Sequence, residues 1–182
     1  MHISIMVPEI LDFLQIQPGQ TGFDATLGYG GHTRAMLTKL NGHGHIYATD
    51  VDPEESAKTR KRLDDLGFGD DILTIRLQNF CTIDEIAREA GGFDFLLADL
   101  GVSSMQIDNP SRGFSFKVDG PLDLRLNQQQ GISAAGRLDT ITREELAGML
   151  YENSDEPYCE ELARAITDEI QRFFLQGGRT VR

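Results

Sequence analysis

At 182 residues with 40% hydrophobic content, the chain is long enough for one domain with a real core, or for a core plus a small appendage. It lacks the apolar run of roughly 18 residues that a membrane span needs, and its opening, MHISIMVPEILDF, has acids and a proline where a leader has a basic head, so a cytoplasmic chain with no membrane association is expected. The formal net charge of −12 opposes long-range attraction to a phosphate backbone, so any contact with nucleic acid has to be local.

In chain order, Val7 to Leu14 reads as a helix packing before the first strand, TGFDATL (21–27). Glycines at 28–31 then feed a helix that stops near Gly42. HIYATDV (45–51) is a second strand, followed by a helix with Asp52 as N-cap, Pro53 in first position, Glu55 completing a capping box and Gly67 as stop. LTIRLQ (73–78) is the third strand; Thr82 and Glu85 cap the next helix, and Gly91 ends it. FDFLLADL (93–100) is the fourth. Short apolar runs alternating with capped helices predict a parallel sheet with crossover helices.

After Leu100 the rhythm changes. Gly, Ser, Pro, Asp and Gln dominate to about Ala135, and then Thr142 with Glu145 caps a short helix to Tyr151. Asp155 starts a longer helix whose stripe of Leu162, Ala163, Ile166, Ile170, Phe173 and Phe174 packs against the preceding one, with Gly177 and Gly178 as its end. Cys81 and Cys159 lie far apart and read as free thiols. Lys58, Arg60, Lys61 and Arg62, balanced by nearby acids, read as a solvated helix face. His2, His32, His43 and His45 are not clustered with carboxylates at ligand spacing, so no metal site is expected.

The chemistry concentrates at strand ends. Gly28, Gly30 and Gly31 let the backbone approach a ligand at a helix N-terminus. The dinucleotide fingerprint needs glycine where Thr33 stands, and no G-K-[ST] follows, which speaks against NAD, FAD and a P-loop. Asp50, ending the second strand, is placed to accept the hydroxyls of a ribose. A glycine turn without pyrophosphate geometry, joined to a ribose-binding acid, suits S-adenosylmethionine, and Asp99, ending strand four, then faces the methionine or the methyl acceptor.

DATLGYGGHT, ATDVDPE, LQNF, LLADLGVSSMQID, SRGFSF and DGPLDLR, in this order from about His2 to Arg125, resemble the signature blocks of the bacterial 16S ribosomal RNA methyltransferases that act on a cytosine N4 amine. The resemblance implies a Rossmann-like class I methyltransferase fold, an α/β sheet ordered 3-2-1-4 with its C-terminal strands absent, plus a small helical segment. It implies an S-adenosylmethionine-binding domain over residues 1–105 and a substrate loop and helical insertion over 106–182. It also implies cofactor contacts from Gly30, Gly31, His32, Asp50, Phe80, Asp99 and Gln106. Without it, His32 reads as a helix-start residue and Phe80 as a core aromatic.

The expected activity is methyl transfer to small-subunit ribosomal RNA. An aromatic amine is a poor nucleophile, so the expectation places Asp99, Ser103 and Ser104 beside it. Phe114 or Phe116 stacks on a base, or plugs the loop onto the helical segment; Arg112 and Arg125 touch phosphates, or Arg112 pairs internally with Asp108 or Asp119. The family's chains are longer, and an uncovered, apolar strand four predicts either a homodimer through that edge or a piece of a longer protein. Two other readings stay open: a non-catalytic descendant that binds cofactor, RNA or a partner, and a methyltransferase of the same fold acting on a small molecule.

Overall fold

The computed structural model describes residues 3–175. His2, Gly177 and Gly178, and the side chain of Phe174, lie outside the described residues. The chain divides into two compact units, the first ending at Ser104 and the second beginning at Met105.

The first unit runs α1 (Val7–Leu14), β1 (Thr21–Asp24), α2 (Gly31–Leu40), β2 (His45–Asp50), α3 (Pro53–Asp64), β3 (Leu73–Leu77), a 3-10 turn (Phe80–Thr82), α4 (Ile83–Ala90) and β4 (Phe95–Leu97). The four strands are parallel in the order β3-β2-β1-β4, so β1 is central and the order reverses beside it. Register aligns Thr21 with His45, Ile46 with Leu73 and Gly22 with Phe95. One face buries Leu27, Met36, Leu37, Leu40, Ile46 and Leu63, while the other packs Phe23 and Ala25 on Ile86 of α4. Helices on both faces are what near-continuous apolar strands require. No helix among the described residues is long and apolar enough to cross a membrane.

The strands are shorter than their apolar runs. Only Phe95–Leu97 of the expected 93–100 pair with β1, because Asp99 has left the ladder and its N–H donates to the Thr26 hydroxyl at 2.8 Å. The caps differ instructively. Asp52 accepts from the Glu54 and Glu55 amides as expected, but the Asp52 amide that Glu55 would take in a capping box donates to Asp50 at 2.8 Å. Glu55 faces Lys58 and Arg62 instead. Thr82 makes no side-chain cap for α4; its hydroxyl donates to the Asn79 carbonyl, and Asn79 caps the 3-10 turn.

The second unit contains most of α5 (Ser104–Ile107), a 3-10 turn (Pro110–Arg112), α6 (Ala134–Leu138), α7 (Arg143–Ser154) and α8 (Cys159–Leu175). The Thr142–Glu145 capping box is complete, but α7 continues past Tyr151. Asp155 is the left-handed C-cap of α7 at φ 50°, so α8 starts at Cys159 rather than at Asp155. Ala163 and Ile166 pack on Ile141, Leu146 and Ala147, the centre of the expected stripe, while Leu162 and Phe173 at its edge stay exposed. Helix α6, capped by Ser133 on the Gly136 amide, starts at the end of the loop-like stretch and was not expected from the sequence.

Candidate functional site

In the first unit the carboxyl ends of β1 and β2 bring two acids to the glycine turn. Asp50 accepts from the Gly28 amide and from the Asp52 amide, both at 2.8 Å, one on each carboxylate oxygen. Those two bonds fix the plane of the carboxylate and leave lone pairs on both oxygens for hydroxyl donors. Burial holds the Asp50 carboxyl above its usual range, against the two amide bonds that favour its charged form.

Asp24 was missed in the sequence. Only 1% exposed at the end of β1, it accepts from the Thr26 amide at 3.0 Å and from the Thr33 hydroxyl at 2.5 Å. Thr33, where the dinucleotide fingerprint has glycine, is therefore the donor that satisfies a buried acid. Burial raises the Asp24 carboxyl, and the Thr33 bond opposes that shift. The signal available was an acid closing an apolar strand with a hydroxyl residue in the next helix's first turn.

The glycine turn itself is left-handed at Gly28 (φ 48°) and Gly30 (φ 80°), the region that glycine alone enters freely. His32 is buried, and its Nε2 lies 2.8 Å from the Ile5 carbonyl. A carbonyl only accepts, so Nε2 carries the proton, and Nδ1 faces the Asp99 carboxylate at 3.9 Å. Phe80 is exposed, in the 3-10 turn that follows β3, rather than in the core. Asp99 is half-exposed past β4, and Ser103 and Ser104 follow it in the same unit.

Gln106, Arg112, Phe114, Phe116 and Arg125 belong to the second unit. Phe116 is 97% exposed and Phe114 partly buried. Neither arginine is presented as a phosphate contact. Arg112 is 6% exposed and its guanidinium donates to the Leu126 carbonyl. Arg125 forms a two-pronged pair with Asp123, 2.7 Å at each oxygen, and also donates to the Gly131 carbonyl at 2.9 Å. That pairing lowers the Asp123 carboxyl and raises the Arg125 guanidinium.

The donor set is informative. Three acids, Asp24, Asp50 and Asp52, lie near the turn and oppose a pyrophosphate there, and of the three only Asp50 is partly exposed, so it is the acceptor a ligand at the turn can reach. A parallel sheet in the order 3-2-1-4, with a glycine turn and a strand-end acid where the order reverses, is a Rossmann-like α/β arrangement whose ligand crevice lies at that turn. Residues 1–179 match the MraW methylase family, and the chain belongs to that family. It is 82% identical to the Ribosomal RNA small subunit methyltransferase H 1 of Agathobacter rectalis, over 94% of this chain and 49% of that protein. The protein of the same name from Lachnoclostridium phytofermentans is 70% identical over 94% of this chain and 47% of its own length. Ribosomal RNA small subunit methyltransferase H 2 of Alkaliphilus metalliredigens is 63% identical over 94% and 49%. The chain thus spans about half the length of the curated relatives it matches.

Proposed function

We propose that this chain is the cofactor-binding portion of an S-adenosylmethionine-dependent methyltransferase that methylates the N4 amine of a cytosine in small-subunit ribosomal RNA, in the cytoplasm. The carrying observation is the Asp50 carboxylate, oriented by the Gly28 and Asp52 amides beside a left-handed glycine turn. Asp50 takes the ribose hydroxyls, Phe80 stacks on the adenine, and Gly28, Gly30, Gly31 and His32 shape the floor beneath the methionine. When bound, the cofactor supplies an electrophilic methyl on a sulfonium. Asp99, Ser103 and Ser104 accept hydrogen bonds from the amine and so keep its lone pair aimed outward.

RNA contact is assigned to Phe116 and Phe114, with the exposed Lys117 beside them. A phosphate would have to displace Asp123 from Arg125 and reach a buried Arg112, so these two arginines scaffold the loop. Calorimetric titration with S-adenosylmethionine, followed by assay of methyl transfer to small-subunit ribosomal RNA with digestion to nucleosides, tests the reading. Saturable binding and label on cytosine N4 are expected. No binding by a folded chain, or label at another atom, sinks it. The transfer assay is run with and without the part of the Agathobacter relative that this chain does not match.

Among the described residues β4 pairs only with β1, and Leu96 on it is 47% exposed. An open apolar edge recruits another strand. We therefore propose that β4 pairs with a strand of a second copy of this chain, or of a longer protein of which the chain is a piece. Light scattering across a concentration series is expected to give twice the chain mass for the first, and a monomer throughout leaves only the second.

A further inference from the structure

We propose that Thr59 of α3 is a positioning residue for the cofactor turn, holding Gly28 by its carbonyl so that the Gly28 amide in turn holds Asp50. The inference rests on the function proposed above and assigns a role to a residue far in sequence from the glycines of the turn.

Helix α3 grips three successive residues of the turn. Thr59, 0% exposed, donates its hydroxyl to the Gly28 carbonyl at 2.5 Å. The Arg62 guanidinium lies over the Tyr29 ring, 3.8 Å from its centre. The Thr59 methyl sits against Gly30, where an added Cβ would come within 2.6 Å of it. Arg62 also donates to the Thr59 oxygen. With a lone pair so engaged, the hydroxyl proton is directed at Gly28.

Gly28, a left-handed residue, is thereby tied through the peptide units on both of its sides. Its carbonyl accepts from Thr59, and its amide donates to Asp50 at 2.8 Å. A carboxylate that takes ribose hydroxyls is useful only where its lone pairs are aimed, and the aim is set by this line of bonds from α3. Loss of the hydroxyl frees the turn to shift without removing any ligand contact directly.

Thr59→Val keeps the shape and removes the donor; Thr59→Ser keeps the donor and removes the methyl. Affinity for S-adenosylmethionine is expected to fall about tenfold in Thr59→Val, the worth of one neutral hydrogen bond, and to stay close to the parent value in Thr59→Ser. Hydrogen exchange at the Gly28 amide, read by NMR without cofactor, is expected to speed up in Thr59→Val alone. That second readout separates the two proposals: if the parent chain binds no cofactor, the proposed function falls while Gly28 protection still decides the role of Thr59. Unchanged affinity and protection in Thr59→Val, or equal losses in both variants, overturn it. Should Thr59→Val fail to fold, Arg62→Met reports from a more exposed position, with a several-fold affinity loss expected and parent affinity contradicting the proposal.

Discussion

Asp50→Ala is expected to weaken S-adenosylmethionine binding by about 100-fold or more, because hydrogen bonds to a charged acceptor are worth roughly 1.5–3 kcal/mol each and two ribose hydroxyls lose theirs. The fold should survive, since Asp50 is only partly buried and water can reach the Gly28 and Asp52 amides it leaves. Asn in its place keeps one acceptor and should fall between the two. Calorimetry of the three chains measures this, and equal affinities would remove Asp50 from the site.

The pH dependence has a defined sign. Affinity requires the ionised carboxylate, so it should hold at neutral pH and fall as pH drops through the folded value of Asp50, which burial places above the ordinary range. Stability moves the other way. Asp24 and Asp50 bind their protons more tightly folded than unfolded, so their ionised forms oppose folding at neutral pH. That opposition fades as pH falls below the raised folded values toward the ordinary one. Acidification should therefore weaken cofactor binding while these two carboxyls progressively stop opposing the native state, and affinity tracking global unfolding instead would contradict the argument.

Much of this site was legible where the signal is local. Asp52 before Pro53, Thr142 before Glu145 and Gly91 after α4 each sit within a turn of what they cap. The alternation of apolar runs and capped helices was enough for a parallel sheet, and the glycines with Asp50 marked where its order reverses. What stayed hidden depends on partners far apart in sequence. Thr33 satisfies Asp24 from the next element, and Thr59 reaches Gly28 across β2. Glu55 looked like half of a capping box until Asp50 was seen to hold the amide it needed. Arg125 read as a cation facing a ligand, and Arg112 as that or as an internal partner of Asp108 or Asp119, because their acceptors, the Asp123 carboxylate and the Leu126 carbonyl, are features of how the loop closes rather than of its composition.

That loop closure is where a single methyl group should have the largest effect on the second unit. Gly113 and Gly131 share the same backbone value, φ 74°, yet a Cβ on Gly131 meets nothing within 4 Å. On Gly113 it would strike the Pro121 carbonyl and lie 2.8 Å from the Asp123 nitrogen. Backbone cannot rotate away as a side chain can, so the two segments must separate and stretch the bond from the Leu124 amide to the Arg112 carbonyl, 3.0 Å. Gly131→Ala should then lose only the left-handed strain, about 1–2 kcal/mol, whereas Gly113→Ala should lose roughly 3 kcal/mol or more from strain, displaced backbone and a weakened hydrogen bond together. Denaturant unfolding of both variants measures the gap, and equal losses would mean the loop has no packed backbone at Gly113. Because Phe114 and Phe116 follow Gly113 directly, the same substitution should cut methyl transfer to RNA while leaving cofactor affinity in the first unit unchanged. A parallel fall in both would instead make the loop part of the cofactor site.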